Sequence, residues 1–74
     1  MKQYTVRFTG IMEAKKDYVV VAAKNQADAY DKAVYDVIYK QYGELPYAAW
    51  VESVTHNNGR QQYFDTFAGK PFGY

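Results

Sequence analysis

Residues 26–42 contain neither Gly nor Pro, and they lie between two stretches of alternating apolar and polar residues. That arrangement constrains the fold more than any other feature of the chain. A long breaker-free segment reads as a helix, and alternation reads as strands. Asn25 offers a side-chain acceptor at the start of the segment, and Asp28 places negative charge in the first turn. Gly43 and Pro46 supply the stop. At about 100° per residue, Ala27, Tyr30, Ala33, Val34, Val37 and Ile38 fall on one arc, the expected core face. Asp28, Lys32, Asp36 and Lys40 follow one another at i, i+4, as a charge ladder on the solvent side. Tyr35, Tyr39 and Tyr42 fall on that outer side or its border, which makes a second, outward aromatic stripe.

Before the helix, "YTVRFT" puts Tyr4, Val6 and Phe8 on one side and Thr5, Arg7 and Thr9 on the other. Gly10 interrupts this first strand, expected over about 3–12. "DYVVVAA" gives a second strand over 17–23 that is apolar on both faces, with Val19, Val21 and Ala23 in one row and Tyr18, Val20 and Ala22 in the other. Such a strand is covered on both sides or faces a partner. One helix covers one face, so the row of Tyr18, Val20 and Ala22 needs a cover from the C-terminal tail or from a second copy in a C2 dimer.

After the helix, "YAAWVESVT" and "RQQYFDTF" flank "HNNG". Asn58-Gly59 predicts a hairpin with strands at about 48–56 and 60–67. A two-residue turn sets Trp50 opposite Phe67, Val54 opposite Tyr63 and Glu52 opposite Asp65, with Trp50 and Val54 facing the helix. A three-residue loop, Asn57-Asn58-Gly59 with a bulge, shifts that register by one. The expected class is therefore α+β: a single domain over 1–74, two-layer ββαββ, one helix on a mainly antiparallel four-stranded sheet. An aromatic tail, 68–74, follows and is expected to dock.

Composition limits what such a domain can do. A chain of 74 residues with no Cys and one His offers no disulfide framework and no Cys/His metal site, so its thin core must be reinforced by large side chains, 19% of all residues being aromatic, or by oligomerisation. Nine basic and eight acidic residues leave a net charge of +1, without the footprint of a dominant nucleic-acid binder. No window is long and apolar enough to span a membrane. The start of the chain has no apolar signal-peptide core, which points to the cytoplasm.

Catalytic chemistry is not readable. His56 sits by a turn without an orienting partner in the local sequence, and Ser53 lies in a strand outside any nucleophile elbow. Glu52 and Asp65 could form an acid/base pair, or be solvated or neutralised by a base. The glycines form no phosphate-binding pattern. The expectation is no enzyme, no cofactor and no metal. Arg7, Lys15, Lys16, Lys24, Arg60 and Lys70 could line a nucleotide- or nucleic-acid-binding patch with Tyr18 and Tyr63, or be ordinary surface charge.

The stretch "YVVVAAKNQADAYDKA" resembles a pattern in small phage and mobile-element proteins of the DpnD/PcfM-like type. Val19, Val21, Ala23, Asn25, Ala29 and Ala33 carry the likeness, over about the first half of the chain. The resemblance implies an accessory protein that acts by binding a host factor, including components of defence systems. With the outward tyrosines, it leads to the expectation of a non-catalytic binding protein that inhibits or modulates a host protein. Tyr35, Tyr39, Tyr42, Tyr18 and Val20 are its expected partner-contacting residues. A nucleic-acid or nucleotide binder and a small structural oligomer are the alternatives.

Overall fold

The computed structural model describes residues 1–64 and 70–71. Its order is β1 (Lys2–Thr9), β2 (Tyr18–Ala23), one helix α1 over 26–42, β3 (Ala48–Thr55), β4 (Gln61–Tyr63) and β5 (Lys70–Pro71). The strands form an antiparallel sheet ordered β2-β1-β3-β4, with β5 added to β3 opposite Ala48 and Ala49. Those two residues also pair with β1, so β5 lies on the same side of β3 as β4. The helix packs on one face, which makes the protein an α+β fold of two layers.

β1 keeps strict alternation, and Tyr4, Val6 and Phe8 are buried. It stops at Thr9, short of the expected residue 12, because Gly10 turns the chain at φ +95°. A Cβ at Gly10 would sit 2.5 Å from the Cβ of Tyr47, whose N–H donates to Thr9 O at 2.8 Å. Glycine is thus required there both by conformation and by space.

α1 begins as read. Asn25 Oδ1 accepts from the N–H of Asp28 at 2.8 Å, and Asp28 Oδ2 accepts from the N–H of Lys24 at 3.0 Å. That second bond, more than any other influence, lowers the Asp28 carboxyl pKa from its ordinary value. Gly43 closes the helix in the left-handed region, its N–H donating to Tyr39 O at 2.7 Å.

The middle of the helix departs from expectation. Gln26–Asp31 and Tyr39–Tyr42 are α-helical, but Lys32–Ile38 is a π-helix. A turn closed i→i+5 takes more than four residues, so residues four and five apart share a face. The buried positions are accordingly Ala29, Ala33, Val34 and Ile38. Ala27, placed on the core arc by α-helical spacing, is exposed, and Ala29 takes its role. Tyr42 is turned inward and packs against the core, so it leaves the outward stripe assigned to it.

The second hairpin uses the longer loop. Type I′ needs φ > 0 at both central residues, and among the described residues none other than glycine has positive φ. Gly59 alone adopts φ +86°, its N–H donating to His56 O, while the N–H of His56 donates to Arg60 O at 2.8 Å. The register is therefore Val54 opposite Gln62 and Ser53 opposite Tyr63, a one-residue shift from Val54–Tyr63. Of the expected strand 60–67, β4 occupies Gln61–Tyr63, and residues 65–67 lie outside the described residues. Asp65, Phe67 and the tail aromatics Phe72 and Tyr74 lie outside the described residues.

A second correction comes from β3 itself. Val51 pairs with Val6 and Ser53 with the adjacent Thr5, so Glu52 is an extra residue, a β-bulge. The bulge puts both Val51 and Val54, three apart, into the core. Trp50 therefore does not share a face with Val54. It lies opposite Arg7, on the sheet face away from the helix.

Candidate functional site

The face of the sheet turned from the helix carries several exposed large apolar side chains. Strand pairing lays it out in rows, because directly paired residues share a face. One row runs Tyr18, Arg7, Trp50 across β2, β1 and β3. The next runs Val20, Thr5, Ser53, Tyr63 across β2, β1, β3 and β4. Val20 is 53% exposed, Tyr18 38% and Tyr63 66%. Trp50 is half-buried.

Arg7 stands at the centre. Its Nε donates to Glu52 Oε1 at 2.5 Å, and a terminal nitrogen donates to Asp17 Oδ1 at 2.8 Å. Glu52, the extra residue of the bulge, lies on the strand beside β1 and two positions from Trp50. The guanidinium pKa is raised, first by the Glu52 hydrogen bond, and the side chain stays charged. Its carbon lies 5.7 Å from the centre of the Tyr18 ring, and Lys16 Nζ lies 5.9 Å from the same ring. Cations this close to the ring are attracted by its π face and restrain it on the sheet. The result is an aromatic platform around an internally neutralised cation.

Of the other sequence-expected groups, Asp65 and the side chain of Lys70 lie outside the described residues. Glu52 is taken by Arg7. His56 faces Gln62, Nε2 to Oε1 3.0 Å, and Ser53 is buried between Thr5 and Tyr63. Among the described residues no group of three His, Cys, Asp or Glu could hold a metal. The basic residues divide between the two ends of the sheet. Lys15 and Lys16 lie in the β1–β2 loop, while Lys24 and Arg60 lie at the opposite end, beside Lys2 and Thr55. Two open clefts of about 470 and 450 Å³ flank that loop and share Phe8, Lys15, Lys16 and Tyr18.

Tyr35 and Tyr39 are 48% and 49% exposed on the helix, on the opposite side of the sheet from Tyr18 and Val20. The five expected contact residues thus divide: two on the open face, two on the helix and Tyr42 in the core packing. Sequence reasoning missed Trp50 and the Arg7–Glu52 contact. The available sign was the polar pair Glu52-Ser53 between Val51 and Val54, since a strand puts both valines on one face only with a bulge. No helix among the described residues is long and apolar enough to cross a membrane. Comparison with protein-family models, with curated proteins and with solved structures finds no match for this chain.

Proposed function

We propose that this chain is a non-catalytic binding protein, encoded by a phage or mobile element and acting in the cytoplasm, that inhibits or modulates a host protein. One observation carries the reading: the open sheet face presents Tyr18, Val20, Trp50 and Tyr63 around an Arg7 already satisfied by Asp17 and Glu52. Trp, Tyr and Arg are the side chains that dominate binding hot spots. A face of rings with its charge neutralised suits a protein surface better than phosphate, which would need a free cation at its centre. Tyr35 and Tyr39 provide a second contact on the helix, with half of each ring's surface open.

The test is photo-crosslinking from position 63 in the producing cell, followed by titration of the purified captured protein. The expected result is saturable binding that Tyr18→Ala weakens by about 30-fold, the loss of a hot spot of about 2 kcal/mol. Preferential capture of single-stranded nucleic acid with steep salt dependence would overturn the reading. So would a turnover that Glu52→Gln abolishes in the folded protein.

A further inference from the structure

The outer edge of β2 has the properties of a self-complementary seam. The N–H of Phe8 donates to Asp17 O at 2.9 Å, and the β1–β2 register continues as Val6–Val19 and Tyr4–Val21. In an antiparallel ladder alternate residues direct their N–H and C=O to opposite sides. Val19, Val21 and Ala23 therefore bond to β1, while Tyr18, Val20 and Ala22 direct theirs outward. Ala22 confirms the phase: its carbonyl accepts from Lys32 Nζ at 3.1 Å, a contact made from the edge. β2 is six residues long and carries no charge or proline, the usual guards of an exposed edge. The opposite edge is built of a three-residue and a two-residue strand.

We infer that two copies of this chain pair antiparallel along β2, about a two-fold axis through Val20 and perpendicular to the sheet. Val20 then exchanges both main-chain hydrogen bonds with its own copy, and Tyr18 exchanges both with the partner's Ala22. On the open face the large Tyr18 ring lies beside the small Ala22, and Val20 meets Val20. The axis places both helices on one side and both open faces on the other.

The helices supply charge complementarity. From Lys24 back to Val20 the strand covers about 13 Å at about 3.3 Å per residue. Returning from Asn25 at about 1.5 Å per residue to Asp31, and at somewhat less through the wider π turn, the helix is level with Val20 near Val34. Lys32 reaches Ala22, so the flank carrying Asp28, Lys32, Asp36 and Lys40 is the one toward this edge. Rotation about that level sets Asp28 against Lys40 of the copy and Lys32 against Asp36 of the copy, opposite charges at each position. Asp28 and Lys32 already pair within the chain at 3.4 Å, whereas Asp36 and Lys40 have no ion pair among the described residues. On pairing, the Ala22 carbonyl passes from Lys32 to the incoming Tyr18 N–H, and Lys32 turns to the facing carboxylate.

Purified chain alone is sufficient for the test. Sedimentation is expected to show a monomer–dimer equilibrium, up to twice the 8.6 kDa of the chain. Val20→Lys, at an exposed position, is expected to weaken it at least tenfold. Asp36→Lys and Lys32→Asp should each be monomeric, and their mixture should form a heterodimer. The chain has no Cys, so Val20→Cys is expected to oxidise to a covalent dimer much faster than Thr5→Cys, which lies one strand inward. The facing Cα atoms of such a pair are about 5.5 Å apart, within disulfide reach. If Val20→Lys fails to fold, the two cysteine rates decide. Wild type that stays monomeric to about 1 mM overturns the inference. So does Val20→Cys oxidising no faster than Thr5→Cys, whatever the mass.

Discussion

β1 and β3 are neighbours of equal length, eight residues each, and they treat their side chains differently. β1 alternates without interruption, so its buried and open faces can be written down from the letters. β3 changes phase at Glu52 and sends residues on either side of the bulge to faces that simple alternation would exchange. One extra residue thus removes the only Trp from the core and places it beside Arg7 on the open face. The lesson is that a bulge assigns a site as much as it bends a strand.

The strongest way to break this comparison is to truncate one large ring on each strand. Phe8→Ala on β1 should cost about 3–5 kcal/mol, a large part of what a small domain has. Trp50→Ala on β3 should cost less than half as much despite the larger side chain, about 1–2 kcal/mol for partial burial. Urea titrations of both variants check this, and equal costs would return Trp50 to the core. Next in size is the end of β1's straight run. Gly10→Ala adds a Cβ within 2.5 Å of Tyr47 at positive φ and should cost at least about 2 kcal/mol, read from the thermal midpoint. The smallest effect belongs to the contact that crosses from β1 to the bulge. Glu52→Gln should lower stability by no more than about 1 kcal/mol, since both partners are about a third exposed, and should leave the strand pairing seen by NMR unchanged.

Much of the fold was legible because its signals are local. Asn25, Asp28 and Gly43 mark the helix ends by backbone chemistry that any neighbouring structure leaves intact, and the alternation of β1 names its buried row. The rest depends on tertiary choices. Asn58-Gly59 is compatible with two loops, and only the φ of Asn58 separates them. The π turn arises where packing on the sheet overrides α-helical spacing, and it exchanges Ala27 for Ala29 and draws in Tyr42. For the candidate surface, Tyr35 and Tyr39 were readable as outward because either helical period leaves them off the core. Tyr18 and Val20 were readable from a strand apolar on both sides. Trp50 was not, because its face depends on a residue two positions away.

The alternating direction of β2's main chain would also write itself into isotope exchange. Transferred to heavy water as a monomer, diluted below the range in which copies pair, the chain should keep the amide protons of Val19 and Val21 and lose those of Tyr18 and Val20 quickly, giving a protection pattern with a period of two residues. Any strand laid along that edge converts the fast set to slow and erases the pattern. A single strand of six residues therefore serves as its own reporter, without a label, a tag or a mutation.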